Sequence, residues 1–238
     1  MSLIPALLVL SFLLVFAAIV FFAFRSSHRY QAELDQQIQT LGFQAPESTP
    51  TRLQSRVEDL YLNQKEGELA LENVYYRKEL DQDLYIFNLY NTQGEGSELG
   101  QDIFGMISSQ LALPHFSLIT IPDFDHDSLI GSLMDKMLDK VMDLAQNHLG
   151  LERVEFPDQP DYQDRFAVFS RYPAAAMDFL IENRLSSLRN ESLPLQIAGS
   201  SDFLTVDFSI SSAASNNNQD LIAQYNKFRD ISRIFMEN

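Results

Sequence analysis

The chain has 238 residues, 45% hydrophobic and 21% charged, a balance that suits a folded domain and excludes wholesale disorder. Its 17 basic and 33 acidic residues leave a net charge of −16, which repels phosphate backbones and anionic head groups and argues against nucleic-acid binding or a second, electrostatic hold on a membrane. There is no cysteine, so disulfides, thiolate nucleophiles, iron–sulfur clusters and cysteine-ligated zinc are excluded.

The first element is an apolar run, Leu3 to Phe24, with no charge and one hydroxyl, Ser11. At about 1.5 Å per residue it makes roughly 33 Å of helix, which matches a hydrocarbon core. Pro5 falls in the first turn, where its missing N–H costs little. A cleaved signal peptide wants a basic start and small residues before the cut; nothing basic precedes this run, and its exit reads FFAFRSS. A retained single-pass anchor is therefore expected. Arg25 and Arg29 follow the run with His28 between them, and no Lys or Arg precedes it. Positive flanks stay in the cytoplasm, so the N-terminus is expected outside and the soluble part on the cytoplasmic side.

Beyond the anchor, residues 25–50 read as a juxtamembrane helix and linker. Leu34, Ile38 and Leu41 form one narrow stripe, Gly42 is a stop, and the proline-bearing APESTP (45–50) is a loop or hinge. The soluble domain is expected over 51–238. From Leu71 the pattern alternates: LENVYYR and DLYIFNLYN read as paired strands, then QDIFGMISSQ and HFSLITI as two more. Asp123 to Leu149 carries a broad apolar face and is expected as a helix ended by Gly150. LERVEF and RFAVFSRY read as strands across an acidic loop, and Pro173 opens a helix to about Leu188. LPLQIAG and DFLTVDFSI form a hairpin across a GSS turn, and a last helix runs from about Gln219 to Met236. This order predicts an α+β fold: one N-terminal transmembrane helix, then a mostly antiparallel sheet with helices on one face.

The motifs with chemical content favour plain readings. Gly94, Gly96 and Gly100 stand one residue too far apart for a dinucleotide loop and precede a strand, where that loop needs a helix. Asp123, Asp125 and Asp127 resemble the start of a calcium loop, but Ser128 and Met134 occupy the positions that need glycine and glutamate, so helix capping is preferred. Asp158, Asp161 and Asp164 offer carboxylates for acid–base work or a cation, without a partner histidine, lysine or glycine-rich phosphate cradle, so a solvated acidic loop is preferred. The histidines, His28, His115, His126 and His148, stand singly. Tyr75, Tyr76, Tyr85, Phe87 and Tyr90 suit cross-strand packing. No residue is singled out as catalytic, cofactor-binding or metal-ligating, and no cofactor is expected.

Three segments carry a resemblance: LGF (Leu41 to Phe43), LPHFSL (Leu113 to Leu118) and VEFPDQPDYQDRFAVFSRYP (Val154 to Pro173). With the anchor before them, they resemble a family of bacterial single-pass membrane proteins, common in cyanobacteria, with a soluble α+β domain. The resemblance implies strands at QDIFGMISSQ and HFSLITI and implies no activity. The leading expectation is a membrane-tethered, non-enzymatic module that engages a protein partner in the cytoplasm. The alternatives are a hydrolase or transferase using Asp158, Asp161 and Asp164, and a small-molecule or lipid pocket in the Phe-rich sheet.

Overall fold

The computed structural model of the chain describes residues 33–61, 69–91, 98–121, 151–181, 184–189, 194–209 and 220–236. The anchor Leu3–Phe24, the helix expected over Asp123–Leu149 with its three aspartates, and the glycine loop at Gly94 and Gly96 lie outside the described residues. Among the described residues no helix is long and apolar enough to cross a membrane.

The chain divides into two compact units, Met1–Gly42 and Phe43–Asn238. In the first, α1 (33–40) ends as its stop residue predicts. The Leu41 N–H donates to the Gln37 carbonyl and the Gly42 N–H to that of Gln39, each at 2.9 Å. Gly42 then turns the chain out of the helix with φ of 77°, a conformation that costs glycine little.

The second unit is built on one sheet whose described strands all pair antiparallel. In chain order these are β1 (Leu69–Lys78), β2 (Gln82–Asn91), β3 (Glu98–Ser108), β4 (Leu113–Thr120), β5 (Glu152–Arg153), β6 (Phe166–Ser170), β7 (Gln196–Ser201) and β8 (Phe203–Asp207). Their order across the sheet is β1-β2-β3-β8-β7-β4-β6-β5. The first three strands make a meander of neighbours in sequence, and the last hairpin is inserted between β3 and β4. Among the described strands, the two halves of the sheet are therefore hydrogen-bonded to each other through β7 and β8.

Helices cover both faces of this sheet, where the sequence pattern predicted one. On the first face lies α2 (Thr51–Tyr61), which the sequence reading did not anticipate. Its buried Leu53, Val57 and Leu60 pack with Tyr85, Phe87, Leu89, Ile103, Ile107, Ala198 and Phe203. Side chains alternate along a strand, so Phe104 beside Ile103 points to the opposite face. There it stacks on Phe228 of α6 (Leu221–Met236), centroids 5.5 Å apart, and meets Phe208 edge-on at 5.8 Å. Phe116 of β4 stacks on Phe235 of α6 at 5.5 Å, and Phe235 on Phe179 of α4 (Pro173–Ile181) at 6.3 Å. Phe116 also lies across Gly199, where a Cβ would come within 2.8 Å of its ring.

Three further expectations are adjusted. LERVEF pairs over two residues only, Glu152 and Arg153. The acidic loop after it contains a one-turn helix, α3 (Pro160–Arg165), started by its proline. The helix expected from Pro173 to Leu188 is seen as α4 and a separate α5 (Arg184–Leu188).

Local backbone irregularities sit where short polar residues tolerate them. Asn73 (φ 49°) and Asp102 (φ 50°) lie beside register shifts in β1–β2 and β2–β3. The Asn88 side-chain oxygen accepts the Asp102 N–H at 2.9 Å. The β7–β8 turn is Ser201–Asp202, one residue later than GSS predicts, with Ser200 paired to Phe203 across it. Ser201 has φ of 56° at the first turn position, the setting in which glycine is favoured. Ser201→Gly removes the left-handed penalty and adds back some chain entropy, so urea denaturation should show a net gain of about 0.5–1 kcal/mol.

Candidate functional site

A set of polar groups that the fold of the second unit brings together over a long sequence span lies around α2. At its N-terminal end, Arg52 donates through Nη2 to Asp202 Oδ2 at 2.8 Å and through Nη1 to Asp83 Oδ2 at 3.3 Å. Arg56 Nε adds an ionic contact with Asp202 Oδ1 at 2.6 Å. Asp202 stands at the β7–β8 tip and Asp83 at the start of β2, so two arginines one helical turn apart bind the helix to both strands. Burial raises the Asp202 carboxyl, but the hydrogen bond from Arg52 and the charge of Arg56 outweigh it and hold it below the usual carboxylate range. The hydrogen bond to Asp202 in turn raises Arg52. Tyr85, buried beside Asp83, is pushed up to about 12, first by burial and then by that carboxylate.

At the other end of α2 the contacts are neutral. The Tyr61 hydroxyl lies 2.9 Å from Thr205 Oγ1. Thr205 donates to the Ala198 carbonyl at 3.4 Å, which leaves its oxygen to accept from Tyr61. Burial, with the nearby Asp207 carboxylate, raises the Tyr61 phenol well above its ordinary value, so it stays protonated. Asp207 itself is buried, accepts the Ser209 N–H at 2.7 Å, and lies so close to Gly100 that a Cβ there would meet Oδ2 at 2.5 Å. Ser200 donates to Asp59 Oδ2 at 3.0 Å, and His115 Nε2 faces the Leu60 carbonyl at 3.3 Å.

Magnitudes separate what holds α2 from what orients it. Three buried aliphatic side chains contribute roughly 1.5–3 kcal/mol each. Exposed ion pairs contribute about 0–1 kcal/mol each, because water and side-chain entropy offset the Coulomb term. The apolar stripe therefore supplies the adhesion, and the arginines fix direction and register.

The carboxylates nominated from sequence stand on the loop and short helix after β5. Asp158 is exposed in a turn; Asp161 and Asp164 are on α3. Asp161 pairs with Arg189 at 3.0 Å, with both side chains largely in solvent. Among the described residues no group of three histidine, cysteine, aspartate or glutamate side chains is placed to hold a metal ion. Gly100 belongs to β3, paired with Leu89, and the chain continues past it as strand rather than helix. Of the histidines only His115 is described; it is buried on β4. Comparison with protein-family models, curated proteins and solved structures finds no match to this chain.

The sequence reading missed α2 and with it this whole cluster. The signal was present: Leu53, Val57 and Leu60 repeat the i, i+4, i+7 stripe of Leu34, Ile38 and Leu41.

Because folded Asp202 titrates below its unfolded value, its contribution is complete above the ordinary carboxylate pKa of about 3.9 and is lost as pH falls through the lower folded value. Asp202→Asn should therefore cost about 1 kcal/mol at pH 7 by denaturant titration, and the gap to the wild type should close in acid.

Proposed function

We propose that this chain is a membrane-tethered, non-enzymatic α+β module, anchored by Leu3–Phe24, that engages a protein partner from the cytoplasmic side. The observation that supports this reading most is an uninterrupted apolar segment placed directly before a folded domain of opposite character. Arg25 and Arg29, immediately after that segment, support the inward orientation. The same features, with the LGF and LPHFSL segments, support membership of the bacterial single-pass family that the sequence resembles.

The use of charge in the domain is consistent with an interaction role. Arg52 and Arg56 are engaged with Asp83 and Asp202, Arg189 with Asp161, and Arg229 with Glu79 at 3.0 Å. These pairs bind helices to a strand, a turn or a connection and serve the fold. The chain's excess of acidic residues then selects a partner that presents basic groups and disfavours nucleic acid.

Extraction of the full chain in mild detergent followed by affinity capture and mass spectrometry should recover a stoichiometric protein partner, released by raised salt. A reporter fused after Asn238 should read cytoplasmic. Recovery of the chain alone and monomeric would remove the interaction reading, and cleavage by protease from the outer face of intact cells would reverse the orientation.

A further inference from the structure

His115 is 5% exposed on β4, beneath the last turn of α2. Its Nε2 faces the carbonyl of Leu60, in the last described turn of α2, at 3.3 Å. A carbonyl only accepts, so this contact fixes the tautomer: Nε2 carries the hydrogen and Nδ1 the lone pair. Nδ1 is buried and has no hydrogen-bond partner among the described residues. A second proton would have to go there, placing charge on a buried ring whose Nδ1 has only the residue's own backbone near it.

We propose that His115 is a proton-operated latch on the last described turn of α2: neutral, its buried ring seats Leu60 on β4, and charged, it favours the opening of that turn. The groups around the ring agree. Arg171, directly after β6, opposes a second positive charge, while Asp59 on α2 favours one; β7 brings Ser200, whose hydroxyl is taken by Asp59. Burial and then Arg171 lower His115, the Leu60 carbonyl, Asp59 and the residue's own backbone oppose them, and the result lies below the ordinary value. The β4 backbone under the ring is itself braced, since the Ser170 hydroxyl donates to the His115 carbonyl and accepts the Tyr172 N–H at 2.8 Å. The latch therefore works against a fixed floor, and α2 is the side that moves. Its first turns keep Leu53 and Val57 buried and the two arginines paired, so opening is confined to the C-terminal turn.

A depressed folded pKa means that the open form binds the extra proton first. Opening therefore increases as pH falls below about 6.5, by up to tenfold per unit until the folded value is reached. Amide hydrogen exchange of residues 58–61 in the full chain, corrected for intrinsic rates, should speed up roughly five- to tenfold between pH 7 and pH 5.5. His115→Gln keeps an N–H donor for Leu60 but cannot take a proton, and should abolish that dependence while leaving protection at pH 7 intact. The proposal is overturned if the wild type shows equal protection at both pH values, or if the glutamine variant shows the same rise. Should that variant fail to fold, the imidazole nitrogen resonances of the wild type decide: titration of His115 at or above about 6.5 overturns the latch.

Discussion

The second unit depends on the insertion of one late hairpin. β7 and β8 pair with each other, and each also pairs outward, β8 with β3 and β7 with β4. Without them the meander β1-β2-β3 and the trio β4-β6-β5 are two three-stranded sheets with exposed inner edges. Such edges leave rows of unpaired backbone groups and rarely stand alone in water. The tip of the hairpin is correspondingly well held. The Asp202 carbonyl accepts the Ser108 N–H at 2.9 Å, while its carboxylate receives Arg52 and Arg56 from α2. One residue thus joins the end of β3, the hairpin turn and the helix that covers them.

The two faces of the sheet use different chemistry for the same task. Under α2 the contact mixes aliphatic side chains with Tyr85, Phe87 and Phe203, and Gly105 sits close enough to both phenylalanine rings that a Cβ would be crowded at 3.1–3.2 Å. On the other face, rings from three helix or strand positions stack in sequence, Phe116, Phe235 and Phe179, while Phe104 is shared by Phe208, Tyr225 and Phe228. Ring pairs add about 0.5–1.5 kcal/mol beyond their burial and impose an angle as well as a distance. α6 is tied at its far side too, where Arg229 reaches Glu79 and Gln82 at the β1–β2 turn, and Glu79 also receives Arg77 at 3.0 Å. The aromatic layer therefore positions α6, and α6 in turn closes the hairpin turn below it.

How much of this the sequence disclosed depends on range. The alternation of LENVYYR, DLYIFNLYN and DFLTVDFSI is a local signal and placed the strands within a few residues. Gly42 and Pro173 marked helix ends for local steric reasons and were placed correctly. The strand order was not legible, because no local pattern tells β3 to pair with β8, a hundred residues away, in preference to β4. For the same reason Arg52 gave no sign of Asp202, and His115 gave none of Leu60. The expectation of helices on one face failed on α2, whose stripe is short and whose surroundings are polar. Ile103 and Phe104, successive apolar residues of β3 that point to opposite faces and are both buried, are the trace that a two-sided cover leaves in sequence.

The central structural claim is that both halves of the sheet stand or fall with β7 and β8. Native-state hydrogen exchange across a urea series tests it directly, by following amides of β2 and of β6 together. If the hairpin is the keystone, the two sets exchange through one opening, with the same free energy and the same dependence on urea. If β6 opens at a urea concentration where β2 keeps full protection, the halves are separate folding units and the hairpin is no keystone.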